Sequence, residues 1–469
     1  MASQPNFTGA SSAFGTLPVL KEEREIGFLD HSWISIGLAI ATWAFLFGGA
    51  TALLVGARDG IYAIIIGNVI GVSIMAVSVC ISTGKFGIEQ FTLMRSVFGP
   101  IGILILVGIF LAFGVGWSAI LSIMFGRAIS GAMNQVGGTH IGENDLGVTL
   151  FAILAIAISW LLLWKGPTVV KWLNRFVGPG KLILCFGILF LIFSHKSWSD
   201  ISSAAPLAPF DDHRLNFMIA VEWNLAAGFA WWPVLGNITR FTRTPRAALW
   251  PNLIGVFAAT VLGETVGLFA ALSLGSSDPT AWMIPLGGAF VGVTALLFVG
   301  LANITAIVSI FYGMCLAMRQ AGGRYFEALP WGLLTGALFV PAIVITFFPG
   351  EFYDNFFKFL AWTALSFAPL SGVTAMDYLV LRRGRIKQCD VFNDGADSDY
   401  AFWRGINPAS FLALVGGGLV YYALFDPQSL AAHGPFVWIS ASVPACLVAA
   451  ILHYVLTKTI VMPARRGGY

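Results

Sequence analysis

Long apolar runs separated by short polar clusters organise this chain. Twelve can be read in order, at 33–56, 61–81, 98–125, 146–164, 176–193, 217–236, 247–274, 282–318, 329–348, 356–381, 409–425 and 434–456. A helix needs about 20 apolar residues to cross a bilayer's hydrocarbon core, and all but the fifth and eleventh runs meet or approach that length comfortably. Within lipid every backbone N–H and C=O must be paired inside the segment, so the runs predict helices, and the fold class is an all-α polytopic membrane protein. The connections leave no room for another folded domain. The division is therefore an amino-terminal segment 1–32, one membrane domain 33–457 and a tail 458–469.

Glycine and proline inside such runs mark places where a helix can break. The first run holds Gly37 and the pair Gly48-Gly49, and the sixth reads Gly-Phe-Ala-Trp-Trp-Pro-Val-Leu-Gly-Asn from Gly228 to Asn237. Interruptions five runs apart point to an inverted repeat, 33–194 against 217–383 with 409–457 as two added helices, and to a midplane site between broken helices. The alternative is that Gly48-Gly49 only lets helices approach closely. Ionisable groups within spans are costly and usually meet a cavity or a partner. Glu222 lies just before the sixth-run glycine and reads as cavity-facing or as a structural hydrogen-bonding group; Glu264 reads as a partner for a neighbouring helix, and Asp377 as an interfacial ion-pair residue beside Arg382 and Arg383.

Composition narrows the class. With 57% hydrophobic and 10% charged residues, against roughly 25% charged in soluble domains, and a mean hydropathy of +0.82, an ordinary cytosolic enzyme is excluded. A net charge of +3 without a basic stripe gives no nucleic-acid partner. Placing the amino terminus in the cytoplasm leaves only Arg58, Arg127, Lys196, Arg214 and Lys358 of the Lys and Arg on the far side, so the positive-inside rule predicts both termini cytoplasmic in an inner or plasma membrane. The first thirty residues carry no signal-peptide pattern. Cys80, Cys185, Cys315, Cys389 and Cys446 form no CxxC pair, and no phosphate-binding GxxxxGK[ST] loop occurs. A channel would want a ring of charged or carbonyl groups, and a membrane-embedded enzyme a cluster of intramembrane His or Asp; the histidines fall almost all in loops or at span ends. Both remain alternatives to a transporter that needs no cofactor and no obligatory protein partner.

Several motifs together carry a resemblance. STGKFGIEQFTLMRSVFGPIG from Ser82 to Gly102, with landmarks at Gly84, Arg95 and Phe98-Gly99, resembles the loop between spans two and three of the nucleobase-cation-symport-1 family. APLSGVTAMDYLVLRRGRI from Ala368 and YAFWRGINPASFLAL from Tyr400 resemble its DYxxxRR and WRGxN signatures, and WWPVLGNITRFTR from Trp231 resembles its sixth-span stretch, with Asn237 where an aspartate is usual. The resemblance implies a leucine-transporter-like five-plus-five inverted repeat plus two helices, importing a nucleobase, allantoin, hydantoin or hydroxymethylpyrimidine by cation-coupled alternating access. It places Trp117 as the stacking platform and the opposing aromatic at Gly228 or, one residue on, Phe229, with Trp231 and Trp232 as alternatives. Gly114 and Leu121 stand where the family has glutamines, which leaves Glu222 and Thr42 to meet the ring's polar edge. For the cation it implies the carbonyls of Gly37 and Ile40 and the hydroxyl of Thr305, a possible Na⁺ position. Ala306 and Ile307 replace a second hydroxyl and an asparagine, with Ser309 and Asn303 nearby, so Na⁺ and H⁺ both stay open as coupling ion.

Overall fold

The computed structural model describes residues 17–164, 167–327, 329–393 and 395–469. Its frame is helical: α1 (Phe28–Ala39), α2 (Thr42–Leu54), α3 (Ala57–Phe86), α4 (Gln90–Phe98), α5 (Gly102–Gly137), α6 (Leu146–Leu163), α7 (Pro167–His195), α8 (His213–Phe229), α9 (Trp232–Thr239), α10 (Pro245–Leu274), α11 (Met283–Glu327), α12 (Trp331–Ile345), α13 (Phe356–Ala375), α14 (Pro408–Leu424) and α15 (Ser442–Leu456). Every predicted run has a helix. The first and sixth are each split in two, and α1 and α2 meet at a 51° bend. The fifth, predicted short, is one of the longer helices because it continues past the apolar core of the run at both ends.

Three pairs of helices pack most extensively: α5 with α11, α3 with α8, and α2 with α10. In span order these are three with eight, two with six, and one with seven. Moving every span five places turns the one–seven contact into the six–two contact and returns three–eight to itself, as a five-plus-five repeat requires. Close approach sets these contacts. A Cβ on Gly48 would lie 1.9 Å from the Glu264 carbonyl, one on Gly71 2.7 Å from the Leu225 carbonyl, and one on Gly228 2.7 Å from the Gly71 backbone. Gly48 and Gly49 thus sit in regular helix as packing residues, and the first-span break lies instead at Ile40–Ala41.

The signature motifs converge at one end of the bundle. Arg382 donates through Nε to Asp377 Oδ2 (2.6 Å) and through Nη2 to the Ser96 carbonyl (2.6 Å), while Tyr469 donates to Asp377 Oδ1. Asn407 donates to the Val97 carbonyl (2.7 Å), and the Gly405 carbonyl accepts from Ile101 and Gly102. Asp377 thus pairs with Arg382 as expected, and it does so fully buried in a hydrogen-bonded cluster. The segment before α1 straps the same end: Ile26 pairs with the chain at Phe241 to Arg243, and Arg24 donates to the Gly84 carbonyl.

Candidate substrate cavity and ion position

Ile40 and Ala41 are extended (φ −101° and −147°), which frees backbone groups in the middle of the first span. Such groups need partners from other helices. Asn303 of α11 supplies one: its Oδ1 accepts from the Thr42 N–H (3.1 Å) and from the Thr42 hydroxyl (2.8 Å), capping α2. Thr42, expected on the ring's polar edge, is committed to that cap.

Lys181 of α7 supplies another. Its Nζ is buried and donates to the Gly37 carbonyl, to Thr305 Oγ1 (2.9 Å) and, at longer range, to the Ala302 carbonyl (3.5 Å). Gly37 and Thr305 were two of the three expected cation ligands; both are held by this ammonium. Ile40, the third, is the first residue of the break. Ser309 donates back to the Thr305 carbonyl of its own helix (2.9 Å). A metal ion does not fit among oxygens already serving an ammonium, since two charges about 4 Å apart repel by roughly 4 kcal/mol even at an effective dielectric constant of 20. The sequence reading does not single out Lys181, although it stands inside the fifth apolar run.

Beside the break lies a narrow cavity of about 40 Å³, lined by Leu38, Trp43, Phe110, Phe113, Gly114, Trp117, Leu121, Ala227, Ala230, Trp231, Pro233, Val234, Ala306, Ile310 and Phe367. The lining carries no charged side chain. Both broken spans contribute, α1/α2 through Leu38 and Trp43, α8/α9 through Ala227 to Val234. Trp43 meets Trp231 edge-to-face (5.6 Å), and Trp117 is flanked by Phe47 (6.5 Å, nearly parallel) and by Phe356 and Phe359 edge-on. Trp117 Nε1 is buried without a hydrogen-bond partner.

A family model described as permease for cytosine/purines, uracil, thiamine, allantoin matches residues 18–443. The chain belongs to this permease family. It is similar to the purine-uracil permease of Arabidopsis thaliana, 22% identical over 85% of this chain and 69% of that one, and to the hydantoin permease of Microbacterium maritypicum, 22% identical over 83% and 80%. Its fold is similar to that of a nucleobase-cation-symport-1 family transporter solved closed with bromovinylhydantoin bound: TM-score 0.76 at 17% identity, covering 95% of this chain and 96% of the other.

Within this permease, the expected site residues divide. Trp117 lines the cavity, and so does Trp231, one of the alternatives for the opposing aromatic. Phe229 is fully buried behind the lining, Gly228 packs on Gly71, and Trp232 stacks on Phe367 (6.3 Å) while its indole donates to Thr374 Oγ1 (3.3 Å). Glu222 lies away from the cavity. Its Oε2 accepts from the N–H groups of Ala441 (2.9 Å) and Ser442 (3.2 Å), and its Oε1 from the Ser442 hydroxyl, so it caps the start of α15. A carboxylate at a helix amino terminus meets unpaired N–H groups and the positive end of the dipole. Glu264 accepts from Asn68, whose amide also reaches Asn224, joining α10, α3 and α8 as the helix-pairing expectation had it. Trp43 was not singled out by sequence; nothing local separates it from other membrane tryptophans.

Proposed function

We propose that this permease imports a small flat heterocycle of the nucleobase, allantoin or hydantoin kind by alternating access, driven by an ion gradient, with both termini in the cytoplasm. The observation that carries the reading is the uncharged aromatic cavity between the two broken spans. A planar ring stacked on Trp117 gains about 1 kcal/mol beyond simple burial, and the partnerless Trp117 N–H offers a donor to a ring carbonyl. Trp43 and Trp231 supply the facing wall, so the opposing aromatic of this reading is Trp231 rather than Phe229. Purines, uracil and hydantoin, which the names of the relatives carry, are flat rings without a fixed charge and suit such a lining. The residue charges of the loops support the orientation.

Competition uptake in proteoliposomes with radiolabelled uracil, cytosine, hypoxanthine, allantoin and a 5-substituted hydantoin tests the substrate class. Trp117→Ala should lower uptake of the accepted compound at least tenfold while the yield of folded protein holds. Undiminished uptake by that variant would remove the stacking platform from the reading.

A further inference from the structure

We propose that the coupling-ion position of this permease is filled by the chain's own ammonium, Lys181 Nζ, and that uptake uses no sodium ion there. The inference rests on the transporter reading above but is argued from a separate set of atoms. An ammonium has three N–H donors and no acceptor. At Lys181 the three meet three oxygens: the Gly37 carbonyl at the end of broken α1, and Thr305 Oγ1 and the Ala302 carbonyl of α11. The recorded partners are all neutral oxygens. That is the ligand type that replaces the hydration shell of a bare alkali ion, presented by the same two helices on which an ion was expected.

Local sequence delivers the lysine to this crossing. Gly178-Pro179-Gly180 precedes it in α7. A Cβ on Gly178 would lie 3.2 Å from the Trp33 carbonyl and one on Gly180 2.5 Å from the Phe298 ring, so the two glycines seat α7 against both α1 and α11. The side chain that follows then reaches between them. The oxygen set is depleted in the complementary way. Ala306 and Ile307 bring no oxygen side chains, Ser309 is turned to its own helix, and Asn303 is spent on Thr42. One hydroxyl remains, and Lys181 takes it. A buried charge with this complement of partners is costly to place in a membrane helix and is seldom without a role. Here the role is to hold α1 to α11 across the break, as a bound cation would, with the charge covalently retained.

The test needs no substrate. Purified full-length protein is assayed for ²²Na⁺ retention by scintillation proximity and for melting temperature in NaCl against choline chloride. Wild type should retain no ²²Na⁺ and melt alike in both salts, whereas Lys181→Ala, which uncovers the oxygens, should melt several degrees higher in NaCl. Near-stoichiometric ²²Na⁺ retention by wild type that Thr305→Val abolishes overturns the proposal. So does a folded Lys181→Ala protein that is equally stable in both salts. Should Lys181→Ala fail to fold, the wild-type and Thr305→Val measurements decide alone. Failure of the heterocycle screen would leave these readouts unchanged, so the two readings fail separately.

Discussion

The breaks in the first and sixth spans occupy equivalent places in the two halves, yet their backbones are satisfied in opposite ways. At Ile40–Ala41 the chain is extended, and its freed groups are met by Asn303 of α11 and Lys181 of α7. At Ala230–Trp231 it stays in the right-handed helical region and closes on itself: Ala230 N–H on the Ala226 carbonyl (2.9 Å), Trp231 N–H on that of Gly228 (3.4 Å), and Val234 N–H on that of Trp231 (3.1 Å). The first break is thereby tied to two other spans and cannot move without them. The sixth closes largely on its own helix, with the Gln90 amide of α4 donating to the Trp232 carbonyl (2.6 Å) on the side away from the cavity lining, and Trp231 is left to form the cavity wall. Equal topology has been divided into a polar junction and an apolar platform.

Variants at the two breaks should differ accordingly. Asn303→Leu is expected to have the largest effect, because it strands the Thr42 N–H and hydroxyl in a dry interior at a cost of about 1–3 kcal/mol for each group left unpaired; melting temperature should fall and uptake drop more than tenfold. Trp231→Ala should spare the self-bonded backbone. Folded yield is then little changed while substrate affinity, from saturation binding, weakens roughly three- to tenfold, the value of an aromatic contact of about 0.5–1.5 kcal/mol. If Trp231→Ala destabilises as much as Asn303→Leu, the contrast between the breaks is gone. The smallest effect belongs to Glu222→Gln. It shares α8 with the sixth break but caps α15, and an amide oxygen still accepts there, so uptake and its pH profile should stay within twofold of wild type. Loss of gradient-driven accumulation with exchange preserved would instead make Glu222 a coupling residue.

The spans were legible because lipid leaves the backbone one solution, and a run of apolar residues announces it. The sixth-span break was legible from Trp232-Pro233 and its glycines. The first was legible only as far as Gly37, since Gly48 and Gly49 serve helix contact, the alternative reading of that pair, and the break at Ile40–Ala41 contains no glycine or proline; what holds it open is Asn303, 261 positions from Thr42 in sequence. Glu222 misled for the same reason. Its neighbours in sequence belong to the break, whereas its hydrogen-bond donors stand some 220 positions away. Lys181 is the readable signal passed over: a lysine inside an apolar run, preceded by two glycines, is costly there unless oxygens meet it.

A tethered ammonium also changes what the membrane voltage can do. An ion that binds, crosses and leaves with each cycle carries its charge through the field, and 100 mV then contributes about 2.3 kcal/mol, or roughly fiftyfold in accumulation. Lys181 returns with the protein. A neutral heterocycle carried past it moves no net charge through this position, so the energy of the resting potential is not drawn on there, and an ion whose gradient drives uptake has to cross by other groups.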